Sequence, residues 1–509
     1  MDGRGNAATL GRRHRRWRGK RDDGCQSHAA LRIGAGPVIA SIDCDGYEDR
    51  DHGSTAPPHV RQAVLAMRYI ALALILLSLP AFISLLRSYP QQRAWAFAAI
   101  GGMLFLGGAI RVDASIIAWP LWNGTVRGIE ISVVDTLAAA LILTRRRVPG
   151  RLPFWGIIAF YGFTIVISLL QSTVAMASFF VVWQFCRMLL VFAAIGGEVH
   201  QPELRKGLLT GLSLGIMLQA SYVVQQKASG IVQATGTMFH QNALGMMTEL
   251  ALLPMLAALL AGDRRKIVLL GIGAGLIVIA GGGSRGAMSI AGTGAVVLVI
   301  LSLIQGVTPH KTRVVGFGML ALAIAAPLAL LTLKDRFGAS SMTTQDNQRP
   351  AFERSASAMA ADHPLGVGAN MYVPVANQQG YAARAGVAWN FANRSAPVHN
   401  AYLLSRAEIG WLGELALILL LAVPMIRGLR LAFSRQRDLR AEIALGCSVA
   451  LGVNMVHNNY EFAGLLYNNL MLLAMNIAII AAAIRSASTA HGKRPAPRRR
   501  ANEPAQSFI

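Results

Sequence analysis

His399-Asn400-Ala401-Tyr402-Leu403-Leu404-Ser405-Arg406-Ala407-Glu408-Ile409-Gly410-Trp411-Leu412-Gly413 runs directly into the apolar stretch Glu414-Leu415-Ala416-Leu417-Ile418-Leu419-Leu420-Leu421-Ala422-Val423-Pro424. The apolar half is long enough, with its approach, to cross a bilayer as a helix. Its mouth carries a histidine, directly after a polar segment of about 65 residues, Lys334–Val398. A titratable imidazole at a lipid–water boundary is expensive to keep without a use, so this is where chemistry is expected first.

Working outward, similar apolar runs fill most of the chain. Of 509 residues, 54% are hydrophobic and 14% charged, where a soluble protein carries about a quarter charged residues. Runs fall near 69–86, 94–110, 128–143, 153–170, 174–195, 207–224, 243–261, 266–280, 286–305, 314–333, 399–424, 442–458 and 464–485. The expected fold is an all-α, polytopic membrane helix bundle of about 12 transmembrane helices with one long, partly helical periplasmic loop, 334–398. Residues 67–485 form the membrane domain, and 486–509 a basic cytoplasmic tail. Residues 1–66, polar and without apolar periodicity, read as a disordered tail. Met67-Arg68, just before the first run, would be a natural start, which would leave that tail untranslated.

The net charge of +23 sits mostly in short connections between apolar runs. That placement points to lipid headgroups and orientation rather than to nucleic acid, and nucleic-acid binding is not expected. Counted by the positive-inside rule, Glu198–Lys206, Asp263–Lys266, His310–Arg313 and Arg427–Arg440 fall in the cytoplasm. Gln225–Asn242, Gly281–Arg285, Lys334–Val398 and His457–Gly464 then share the opposite face, which holds most of the polar residues that are not simply basic. Parity requires that one of the first three runs does not span. The favoured one is 128–143, short and carrying Glu130 and Asp135, or else its neighbour 114–122 with Trp119 and Trp122. Cys25, Cys44, Cys186 and Cys447 show no metal or disulfide spacing, and Cys186 and Cys447 read as small buried hydrophobes. Gly207, Gly211 and Gly215 repeat at the spacing of close helix packing.

Four clusters on the working face carry the candidate chemistry. At 100° per residue His399, Tyr402, Arg406, Gly410 and Gly413 share a helix face open to a partner helix or substrate, with Glu408 opposite. Ser284-Arg285-Gly286 follows three glycines, so Arg285 is either an outer-face anchor or part of an anion cradle. His240 and Asn242 cap a helix or touch substrate, capping being the more natural role for Asn242. His457-Asn458-Asn459-Tyr460-Glu461 is the weakest of the four. Within the loop, Pro350–Ala361 reads as an amphipathic helix ended by His363-Pro364, and Gly366-Val367-Gly368 as a tight turn. Tyr381, Trp389 and Phe391 suit either sugar stacking or the membrane interface.

Taken in order, Gly236-Thr237-x-x-His240-x-Asn242, Ser284-Arg285-Gly286, Asp362-His363-Pro364-Leu365-Gly366-Val367-Gly368 and His399-Asn400-x-x-Leu403 with Glu408, Gly410 and Gly413 resemble the O-antigen ligase / O-antigen polymerase superfamily over residues 150 to 485. The resemblance implies a bacterial inner-membrane glycosyltransferase. Such enzymes take a glycan from undecaprenyl diphosphate on the periplasmic face and pass it to an acceptor hydroxyl, without metal, nucleotide sugar or other cofactor. It also implies His399 as base and Arg285 as diphosphate contact. His240, Asn242, Arg354, His363, Asn400 and Arg406 are the candidate substrate contacts. Where the family often has a second phosphate-binding arginine, this chain has Gln233, with Lys227 or Arg354 as possible substitutes.

The chemistry is coherent by itself: an imidazole activates a hydroxyl, a guanidinium meets the departing diphosphate, and that leaving group asks for no acidic metal motif. Ligation to a lipid core, polymerisation of repeat units and transfer to a protein hydroxyl all fit this scaffold, ligation being preferred. The different-class alternative is a lipid-linked oligosaccharide flippase or transporter. That reading predicts ionisable residues in mid-span and related halves, whereas Arg187 and Glu249 are the main charges within the runs.

Overall fold

The computed structural model describes residues 58–145, 151–320, 323, 348–434 and 438–491. The chain divides into two units, Met1–Arg61 and Gln62–Ile509, and the elements below belong to the second apart from the first turn of α1. The tail expected over 1–66 lies, up to residue 57, outside the described residues; so do residues 324–333 of the last run before the loop, 334–347 of the loop itself, and the chain beyond 491.

The described chain is mostly helical. Eight helices are long and apolar enough to cross a membrane: Ala66–Ser88 (within α1, Pro58–Ser88), α5 (Ala175–Glu198), α6 (Pro202–Ala228), α7 (Gln241–Leu260), α9 (Arg285–Gln305), α14 (Ala401–Ala432), α15 (Leu439–His457) and Tyr467–Ser488 (within α16, Tyr467–His491). Three shorter apolar helices join them: α3 (Val133–Thr144), α4 (Trp155–Ser168, extended to Gln171 by a 3-10 turn) and α8 (Lys266–Gly282). This is the make-up of a multi-pass membrane protein. α7 lies at the centre, apolar on every side and buried over almost its whole length. The α1 helix is peripheral, with Leu74, Leu77 and Ile70 facing outward, as a lipid-contacting helix does.

The all-α expectation needs an amendment near the start. Residues 114–122 and the beginning of 128–143 form an antiparallel hairpin, β1 (Asp113–Ala118) paired with β2 (Gly128–Ser132) in the register Asp113↔Ser132 and Ala114↔Ile131. Ile-rich alternation favours strands here, and Pro120 and Asn123-Gly124 turn the chain between them. Only the latter part of the 128–143 run is helical, and the 94–110 run yields an 11-residue α2 (Arg93–Met103). Two of the first three runs, not one, are therefore too short to cross alone.

The charges inside the runs pair with one another. Arg187 of α5 donates from Nε to Asp135 Oδ2 of α3 at 2.9 Å and lies 4.0 Å over the Tyr467 ring. Glu249 of α7 meets His457 Nδ1 of α15 at 3.1 Å. Such pairing is what makes a buried charge tolerable. Cys447 is buried as expected, whereas Cys186 is exposed on α5.

Glycines set the closest helix contact. A methyl group added at Gly207 would stand 2.2 Å from Ala94 O, and one at Gly211 1.9 Å from Ala98 O. The four-residue glycine repeat thus lets α6 ride on the backbone of α2. Gly211→Ala is expected to destabilise the protein by about 1–3 kcal/mol, read as a lower melting temperature in detergent. Gly292→Ala, with nothing within 4 Å, is the control and should change little.

The helix that begins at the quoted stretch is broken. Gly410 sits at φ 75°, ψ 178° inside α14, a conformation that only glycine adopts readily. The loop segment 363–368 fills the break: Val367 N donates to Ala407 O (3.0 Å), Gly368 N to Glu408 O (2.9 Å), and Trp411 N to Pro364 O (3.2 Å). Carbonyls left unpaired by the break are satisfied in this way. The continuous helix face expected through Gly410 and Gly413 does not form, and the partner admitted by Gly410 is the protein's own loop. Glu408 is indeed a pairing group, its carboxylate accepting from Tyr372 N at 3.0 Å. The loop helix appears as α10 (Arg349–Asp362), burying Phe352, Ser355 and Met359, and Gly366 and Gly368 make the turn at positive φ.

Candidate active site

A cavity of about 430 Å³ opens where three of the four polar connections meet. Phe239 and His240 come from the connection before α7, Ser395-Ala396-Pro397 and His399 from the end of the long loop, and Glu461-Phe462-Ala463 from the connection before α16. The fourth wall, Asn123-Gly124-Thr125 and Arg127, is the tip of the β1–β2 hairpin.

His399 stands just before α14, and Asn400 rather than His399 caps that helix, its Oδ1 accepting from Tyr402 N (3.0 Å) and Leu403 N (3.1 Å). Capping by the asparagine leaves the imidazole for other work. His399 Nδ1 donates to Glu461 Oε2 at 3.2 Å, and the ring is held between Phe352 and Phe462, at 6.0 and 5.6 Å between centroids. The carboxylate acceptor sets the tautomer with the proton on Nδ1, so Nε2 carries the free lone pair.

Glu461 is the hub. Its Oε1 accepts from Arg349 Nη2 at 3.1 Å and from Asn242 Nδ2. Burial works to raise this carboxyl, but the hydrogen bond and charge of His399, followed by Arg349 and His240, hold it below the usual carboxylate range. His240 caps α7 through Nδ1, which accepts from Asn242 N at 3.2 Å. The histidine thus takes the capping role expected of Asn242, whose side chain turns to Glu461 instead. Burial lowers the His240 pKa; Glu461 opposes this, while His399 and Arg349 add to it.

Both shifts have the same sign of consequence. A carboxyl held down when folded, and a histidine kept neutral by folding, contribute stability that is present above their unfolded values and lost as pH falls through the folded ones. Stability should therefore fall as pH drops from 7 to 4, and Glu461→Gln should make that fall shallower. A melting-temperature series across that range would show parallel curves for the two proteins if Glu461 were not the responsible group.

The other expected contacts lie elsewhere. Arg285 is exposed as the first residue of α9, capped by Ser284, and is not among the residues lining the cavity. It stands at the same end of the bundle, because Ala287 Cβ packs against Gly245 of α7. Arg354 Nη2 donates to Ala385 O at 2.9 Å, and His363 Nε2 lies 3.4 Å from Gln379 Oε1. Arg406 pairs with Glu414 across the Gly410 break. Gln233 accepts from Gln241 Nε2 at 3.3 Å, and Lys227 Nζ donates to Val232 O at 2.9 Å. Neither lines the cavity. Tyr381 is buried and donates to Asp362 Oδ2 at 2.7 Å, while Trp389 and Phe391 remain exposed.

Sequence reasoning missed Arg349 and Arg127, and it placed Glu461 only in the weakest of the four clusters, without its pairing to His399. The one available signal was that Glu461 is the sole acidic residue in its short outer connection. No family model and no curated protein matches this chain.

The arrangement is suited to taking a proton from a hydroxyl. An imidazole is oriented by a buried carboxylate, which in turn is fixed by an arginine and an amide, at the wall of a cavity that admits a polar ligand.

Proposed function

We propose that this chain is a bacterial inner-membrane glycosyltransferase of the O-antigen ligase / polymerase type. It transfers an oligo- or polysaccharide from undecaprenyl diphosphate to an acceptor hydroxyl at the periplasmic face. The observation that carries this reading is the His399–Glu461 pair at the wall of the cavity, with Nε2 left for the acceptor.

In the proposed step Nε2 of His399 takes the acceptor's hydroxyl proton. The acceptor oxygen bonds to the anomeric carbon as the bond from that carbon to the diphosphate oxygen breaks. Undecaprenyl diphosphate departs with the electron pair, and Glu461 stabilises the imidazolium that forms. Arg285, at the same end of the bundle, is the diphosphate contact implied by the resemblance. The acceptor is a lipid-core hydroxyl in the preferred reading, and a growing glycan or a protein hydroxyl in the alternatives.

In membrane terms, the eight long helices, α4, α8 and a crossing over 314–333 would make eleven spans, close to the twelve expected, with the short α2 and α3 carrying the chain from the Glu198 end to the hairpin and back. Arg68, at the start of α1, donates to Ser115 O of the hairpin, so α1 begins on the cavity's side of the bundle, whereas Arg485, near the end of α16, bonds Gly197 O at the opposite end. The carrier reading draws on one observation, the buried Glu249–His457 pair within the spans.

The deciding experiment reconstitutes the protein in vesicles with an undecaprenyl-diphosphate-linked oligosaccharide. Transfer or elongation of the glycan supports the enzyme, and product length separates ligase from polymerase. Movement of the glycan across the bilayer without transfer would establish the carrier instead.

A further inference from the structure

The cavity's charge is unbalanced. Its titratable lining residues are Arg127, His240, His399 and Glu461. The single carboxylate is committed, with Oε1 to Asn242 and Arg349 and Oε2 to His399. Arg127, exposed on the hairpin, shows no side-chain hydrogen bond or ion pair among the described residues. A guanidinium facing a site without a carboxylate of its own can donate bidentately to the oxygens of an anionic ligand.

The hairpin that presents it is fixed rather than loose. Asn370, fully buried and held at φ 66°, clamps the tip: its Oδ1 accepts from Val126 N at 3.1 Å, and its Nδ2 donates to Val126 O at 2.7 Å. The neighbouring turn leaves no room for a side chain, since a methyl at Gly124 would fall 2.1 Å from Asn370 Oδ1. Asparagine tolerates the left-handed region better than most non-glycine residues, and it persists there where its surroundings demand it. Here the demand is the main chain of Val126, immediately before Arg127. At the other end of the hairpin Arg68 Nε donates to Ser115 O at 2.6 Å.

We infer that Arg127 is a substrate-binding residue that contacts a phosphate or diphosphate group of the ligand held in this cavity. The hairpin tip is thereby the anion-binding wall of the cavity that His399 and Glu461 also line. The inference rests on the transferase reading only for the origin of the diphosphate, a lipid carrier; the anion subsite itself stands on the cavity's charge.

The test uses the full chain in nanodiscs, with undecaprenyl diphosphate, undecaprenol and inorganic pyrophosphate as probes. Wild type is expected to bind the diphosphate lipid at least tenfold tighter than the alcohol. Arg127→Gln should lose about ten- to a hundredfold of that affinity, the range of a charge-assisted contact, with undecaprenol binding and melting temperature unchanged. Arg127→Lys should fall between. Competition by pyrophosphate would assign the site to the free anion chemistry as well as the headgroup; no competition, with the Arg127 dependence kept, would assign it to the lipid headgroup. Equal binding of diphosphate lipid by wild type and Arg127→Gln, or no preference of wild type for the diphosphate, overturns the inference. Arg127-dependent binding without any glycan transfer by wild type would keep the anion site and remove the transferase reading. Transfer with an unchanged KM in Arg127→Gln would do the reverse.

Discussion

His399→Ala is expected to reduce glycan transfer by about 10²–10⁴-fold, the contribution of a positioned general base, with melting temperature and membrane content close to wild type. The side chain is partly exposed to the cavity, and its removal leaves Glu461 with Arg349 and Asn242, so no buried charge is stranded. The informative comparison is Asn400→Ala. Loss of that cap should cost about 0.5–2 kcal/mol of stability while most of the transfer rate remains, because the Asn400 side chain is spent on Tyr402 N and Leu403 N. If both variants lost activity in proportion to their lost stability, His399 would be a structural residue and the base assignment would fall.

Gly410→Ala is expected to be the most damaging single substitution for folding, at about 3–5 kcal/mol. Two independent costs add. An L-residue at φ 75°, ψ 178° is strained by about 1–3 kcal/mol, and the new methyl would stand 2.7 Å from Pro364 O and Leu365 C. Neither neighbour can yield, since Pro364 O accepts from Trp411 N and the adjoining Val367 and Gly368 are tied to α14. Gly273→Ala, with nothing within 4 Å in mid-helix, is the contrast and should be neutral or slightly stabilising. Thermal unfolding of both in detergent reads the difference. A Gly410→Ala protein that melts with wild type would show that the break in α14 is not required.

The consequence of that break reaches the site. The loop segment seated on Gly410 leads through Gly368 and Ala369 to Asn370, and Asn370 clamps the hairpin tip that forms one cavity wall. Gly410→Ala should therefore also disturb the cavity's far wall, whereas Gly211→Ala, buried at the α2–α6 contact, should affect stability alone.

How much of this was legible in the chain follows from the range of each interaction. Apolar run length over most of the chain, the glycine repeat at 207, 211 and 215 and the amphipathic period of the loop helix are local patterns, and they produced the helices and the close contact expected. The amphipathic helix came through within a residue of its expected ends, as α10. The runs at 94–110 and 128–143 misled because apolar content alone does not distinguish a short helix from a strand; Ile117 pairs with Ile129, Ser115 with Glu130 and Ala114 with Ile131 only when the hairpin closes. The position of His399 at a polar mouth was readable. Its carboxylate partner lies 62 residues away in a segment with no pattern of its own.

By itself the sequence determined that this protein is a many-spanned helical membrane bundle, because hydropathy and charge act on each segment separately. Only the tertiary structure decided that Asn400 rather than His399 caps α14, that Glu461 is the partner of His399, that Gly410 breaks a helix, and that a hairpin supplies Arg127. The last three outcomes depend on pairings between residues 62, 40 to 47 and 244 positions apart. Buried hydrogen bonds select such partners through geometry that no local window of the sequence contains.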